Sequence, residues 1–63
     1  MHTYLKRDED VYEVGQWLRH PEGYDRFQAM FAVPNLKQAF HAVNSLNGGR
    51  QINIDNLDLV ERD

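Results

Sequence analysis

Between Val11 and Gly49 the chain reads as strand, turn, strand, capped helix and glycine stop, and that run leaves few folds open. Val11 to Leu18 is dense in β-formers (Val, Tyr, Val, Trp) and is predicted to be a strand. Arg19 to Asp25 holds Pro21 and Gly23. Proline presets φ and glycine accepts a positive φ, so a turn is expected there. Arg26 to Val33 alternates, with Phe27, Ala29, Phe31 and Val33 on one face and Arg26, Gln28, Met30 and Ala32 on the other. The two strands are expected to pair as an antiparallel hairpin.

Pro34 ends the second strand, and Asn35 is a good helix N-cap. Gln38 follows three residues later, an Asn-x-x-Gln version of the capping box. Leu36, Ala39, Phe40, Val43 and Leu46 then fall on one stripe of a 3.6-residue period, and Gly48-Gly49 supplies a left-handed stop.

The ends carry less pattern. Residues 1–10 show no periodicity and close on Lys6-Arg7-Asp8-Glu9-Asp10, so they read as a flexible arm or a short frayed strand. The folded body is placed at residues 11–63. Ile52 and Ile54 alternate, as do Leu57 and Leu59, with a kink at Asp55-Asn56 between them. A third strand around Leu57 to Glu61 is expected, because two strands alone are barely stable. The rival reading is a detached acidic–hydrophobic peptide that orders on a partner. The expected fold class is therefore α+β: an antiparallel hairpin with a third, C-terminal strand and one amphipathic helix across one sheet face (ββαβ). Its expected core is Val14, Leu18, Phe27, Ala29, Phe31 and Val33 from the strands, Leu36, Ala39, Phe40, Val43 and Leu46 from the helix, and Leu57 with Leu59. On that core, truncating Phe40 or Phe31 to alanine costs about 3–5 kcal/mol.

A chain of 63 residues makes one small, marginally stable body. Cysteine is absent, which removes disulfides, thiolate zinc sites and iron–sulfur clusters, and fits a reducing compartment. No stretch approaches the roughly 20 apolar residues of a membrane span, and the first residues lack the apolar region of a secretory signal. A cytoplasmic location is the expectation. The formal net charge of −3 resides wholly in residues 51–63, where Asp55, Asp58, Glu61 and Asp63 face Arg62 alone. Such a balance gives no long-range attraction to nucleic acid phosphates.

Catalytic chemistry finds little footing. Ser45 sits in the last helical turn beside Leu46, and Thr3 in the N-terminal arm; neither has a base placed by sequence to activate it. His2, His20 and His41 match no compact metal-ligand spacing, and neither Asp8, Asp10 and Glu13 nor Asp55 and Asp58 supplies a calcium loop. Gly48-Gly49-Arg50 follows a helix rather than preceding one, the wrong end of the dipole for a phosphate cradle. No catalytic residue, metal or cofactor is expected, and the core is too small to enclose a pocket of about 300 Å³ without a second subunit.

Recognition has better candidates. One helix covers one face of a small sheet and leaves the other for solvent or a partner. With Tyr12, Val14 and Leu18 inward, Val11, Glu13, Gly15, Trp17 and Arg19 lie on the open face. Trp17, Arg19, Arg26 and Met30 form the expected partner-binding set, with the acidic tail in support. Period 2 is imperfect in this strand, and the alternative buries Trp17 under the helix. The partner is a larger protein, a second copy, or nucleic acid with Trp17 stacking and Arg19, Arg26 and Arg50 on phosphates.

At YEVGQWL, RFQAMFAV and LKQAFHAVNSLNGG the chain resembles short phage and mobile-element proteins with a strand–strand–helix body. That resemblance implies a stand-alone accessory protein acting as adaptor or inhibitor of a larger protein. The same residues also resemble the AP2-like arm-binding domain of phage integrases, which implies strands entering a DNA groove and several basic side chains on them. Here Arg19 and Arg26 stand near that surface among Glu13, Glu22 and Asp25. The expected function is a non-catalytic protein-binding module, with a nucleic-acid-binding module as the alternative.

Overall fold

Three antiparallel strands and one helix make an α+β fold in the computed structural model, which describes residues 1–49 and 57–60. Strand β1 is Thr3–Asp8, β2 is Val11–Arg19 and β3 is Asp25–Val33, in the order β1-β2-β3; helix α1 is Leu36–Asn47. The β2–β3 hairpin and the helix lie where periodicity placed them. Pro21 and Gly23 make the turn: Gly23 N–H donates to His20 O at 2.9 Å, and Gly23 takes φ +98°.

The third strand comes from the other end of the chain. Residues 1–10 are not a flexible arm outside a body of residues 11–63: of the two readings the strand is the one that forms, and Thr3–Asp8 pairs along β2, Tyr4 opposite Val14 and Lys6 opposite Tyr12. Tyr4 meets the Tyr12 ring edge-on at 6.1 Å, and Lys6 Nζ lies 5.8 Å from the same ring. These contacts are cross-strand and leave no trace in local periodicity. The N-terminus is also pinned to the helix, because Asn47 Oδ1 accepts from His2 N–H at 2.7 Å and Asn47 Nδ2 donates to His2 O at 2.9 Å. Replacing Asn47 by alanine removes both bonds and is expected to lower stability by about 1–2 kcal/mol, read as a shifted urea midpoint with an unchanged slope.

Leu57–Val60 belongs to no strand. It follows the outer edge of β3 with one backbone bond, Val60 N–H to Ala32 O at 2.8 Å, while Leu57 packs against the core. Glu61, the expected kink at Asp55-Asn56, and Ile52 and Ile54 lie outside the described residues.

Asn35 caps α1 through Oδ1, which accepts from Gln38 N–H at 2.9 Å. The reciprocal half of a capping box is spent elsewhere: Gln38 Nε2 donates to Asp58 Oδ2 at 3.1 Å, and Gln38 Oε1 accepts from Asp58 N–H at 2.9 Å. The glycine stop works as read, with Gly48 and Gly49 N–H donating to Asn44 and Leu46 carbonyls and Gly49 at φ +73°.

The face α1 presents differs from the expected stripe. Ala39 and Ala42 are fully buried, with Val43 and Leu46 beside them, whereas Leu36 and Phe40 turn outward and Phe40 is 57% exposed. Small side chains let the helix backbone approach the sheet closely, and a phenylalanine on that line would hold it off. The core is Val14, Val33, Ala39 and Ala42, flanked by Tyr4, Tyr12, Phe31, Val43, Leu46 and Leu57. Leu18, Leu36, Phe40 and Leu59 leave the expected core because they are exposed.

Phe27 and Ala29 leave it for a different reason. Val14 pairs with Phe31, but Gly15 pairs with Ala29, so Met30 is an extra residue on β3. Such a bulge reverses which face the following side chains occupy. Phe31 and Val33 stay with Val14 and Tyr12 under the helix, whereas Ala29 and Phe27 join Gly15 and Trp17 on the opposite face. The glycine is required there, since a Cβ at position 15 would sit 2.8 Å from Ala29 Cα.

Candidate partner-binding surface

Beyond the bulge, β2 and β3 continue as a two-stranded ribbon that the helix does not cover. Nine strand residues span roughly 30 Å, and the twelve residues of α1 only about 18 Å. The ribbon, Gly15–Arg19 against Asp25–Ala29, therefore keeps both faces open. It is closed by the turn, where the His20 and Tyr24 rings stack at 4.3 Å and His20 Nδ1 accepts from Glu22 N–H.

One face carries Trp17 and Arg19 with their cross-strand partners Phe27 and Asp25. The Trp17 and Phe27 rings meet edge-on at 5.2 Å. Trp17 is nevertheless 54% exposed, which decides between the two placements left open by its strand. Arg19 Nη1 and Asp25 Oδ1 lie 3.5 Å apart, both well exposed. The other face carries Leu18, Arg26 and Gln28 around a shallow depression.

Of the four expected contact residues, Trp17 and Arg19 thus share a face, Arg26 occupies the reverse side opposite Leu18, and Met30 stands at the bulge, 54% exposed. Alternation alone grouped Arg26 and Met30 with Trp17, and the bulge overturns that grouping. It also brings in Phe27, which alternation had assigned to the core. One signal for it was present: a glycine inside a strand marks a bulge or a close backbone approach. Leu18 and Tyr24 are further exposed apolar side chains of this ribbon and its turn.

Nearer the helix the same face is closed. Glu13 and Ala32 are buried, and Glu13 Oε1 accepts from Arg7 Nε at 2.6 Å. Arg7 is the irregular residue between Lys6 and Asp8 in the β1–β2 register, and its guanidinium reaches that carboxylate.

Charge on the ribbon and its turn balances, Arg19 and Arg26 against Glu22 and Asp25. Elsewhere, an open cleft of about 480 Å³ is lined by Asn35, Lys37, Gln38, His41 and Leu57. Among the described residues no three His, Cys, Asp or Glu side chains cluster as a metal site, and no helix is long and apolar enough to cross a membrane. Arg50 and most of the acidic tail lie outside the described residues, and Asp58 is engaged with Gln38. Comparison with known proteins yields no matching family model, curated protein or solved structure.

Proposed function

We propose that this chain is a non-catalytic protein-binding module that acts from its hairpin ribbon as an adaptor or inhibitor of a larger protein, in the manner of phage-type accessory proteins. The observation that carries the reading is the concentration of exposed apolar side chains, Trp17, Leu18, Tyr24 and Met30, on one hairpin that the helix leaves uncovered. Tryptophan and tyrosine with a nearby arginine are the residue types that dominate binding hot spots. Exposure of this kind is unfavourable for an isolated chain and marks interaction surfaces.

Affinity capture from host lysate with the intact chain and with Trp17→Ala tests the reading. One specific band held by the parent should be lost in the variant, whose far-UV circular dichroism should match the parent. Capture that is indifferent to the substitution would remove the ribbon as the contact surface.

A nucleic-acid module is the second reading, favoured by the shape of the ribbon, since a two-stranded ribbon fits the major groove. The balanced charge of the ribbon and the acidic chain weigh against it. Micromolar binding to duplex DNA that falls steeply with added salt would reverse the ranking.

A further inference from the structure

We infer that the partner of the Trp17 face is a second copy of this chain, the two ribbons packing face to face about a two-fold axis that runs along them. This rests on reading the ribbon as a protein-binding surface and names its occupant. The ground is self-complementarity. A two-fold along a two-stranded ribbon places β2 of one copy over β3 of the other, so each residue meets the copy of its own cross-strand partner. Trp17 pairs with Phe27, and Arg19 with Asp25. The operation therefore sets Trp17 over the partner's Phe27 and Arg19 over the partner's Asp25, and the reverse pair on the other side.

Both matches are favourable: aromatic on aromatic, cation on anion. Such a reciprocal patch is what an isologous dimer needs. Within one chain Arg19 and Asp25 lie 3.5 Å apart and stay exposed, so both can turn to a second copy. Stacked sheets cross at about 30°, which splays the helix-bearing ends apart while the ribbons touch. Small chains without disulfides also commonly reach stability by associating.

The test is a charge swap between two chains, followed by sedimentation equilibrium of the 63-residue chain. The parent should show concentration-dependent dimers. Arg19→Glu alone sets two like-charge pairs in the dimer and should weaken self-association about tenfold or more, as should Asp25→Arg alone. An equimolar mixture of the two variants should associate like the parent, because the introduced glutamate of one chain meets the introduced arginine of the other and the second pair stays native. Trp17→Ala should weaken the parent dimer about thirtyfold. Thermal melts establish that each variant is folded, and the exposure of both charged residues favours that outcome.

A parent monomeric up to about 1 mM overturns the inference. So does a dimer indifferent to Trp17→Ala and Arg19→Glu, or a variant mixture that fails to recover. A monomeric parent whose lysate capture still depends on Trp17 would sink the second copy alone and leave the protein-binding reading standing. Loss of that dependence together with a charge-swap dimer would remove the larger protein and leave the second copy as the ribbon's partner.

Discussion

Gly15→Ala is expected to cost about 3 kcal/mol or more, enough to leave much of the chain unfolded at room temperature. Position 15 faces Ala29 across the bulge. An added Cβ would lie inside the van der Waals envelope of Gln28 O and 2.8 Å from both Ala29 Cα and Gln28 C. These are backbone atoms, so no side-chain rotation relieves the clash. Either β2 and β3 separate locally, breaking ladder bonds, or the bulge is lost. Loss of the bulge would return Phe27 and Ala29 to the helix side and force the ribbon into a new register. A chain of 63 residues has little stability in reserve. Urea denaturation followed by circular dichroism reads the effect, and a Gly15→Ala midpoint within error of the parent would mean that β3 does not approach β2 as described.

The second large effect is expected on the helix, and it inverts what residue size suggests. Ala42→Leu should destabilise by about 1–3 kcal/mol, because position 42 is fully buried against the sheet and has no room for three more carbons. Phe40→Ala should cost less than about 1 kcal/mol, since the ring is 57% exposed and leaves no cavity. The expectation from periodicity was about 3–5 kcal/mol for that same phenylalanine. Parallel thermal melts of the two variants decide between the pictures: a larger loss in Phe40→Ala than in Ala42→Leu would restore Phe40 to the core.

Much of the fold was legible because local signals agreed. Asn35 at the cap, Gly49 at positive φ, and Pro21 with Gly23 in the turn each act through their immediate neighbours. The candidate surface was half legible. Trp17 and Arg19 lie on the expected open face, but Arg26 and Phe27 exchanged sides at Met30. Period 2 is a rule about an unbroken strand, and one inserted residue inverts everything beyond it.

Local chemistry by itself determined the hairpin, its turn, and the helix with both of its ends, since turn geometry, capping and periodicity involve residues only a few positions apart. Tertiary structure alone decided that Thr3–Asp8 is the third strand, that α1 rolls onto Ala39 and Ala42 rather than Phe40, and that Trp17 and Phe27 share a face. Each of those outcomes depends on how closely two separate elements approach, and that distance is set by cross-strand partners and side-chain volumes that no single segment contains.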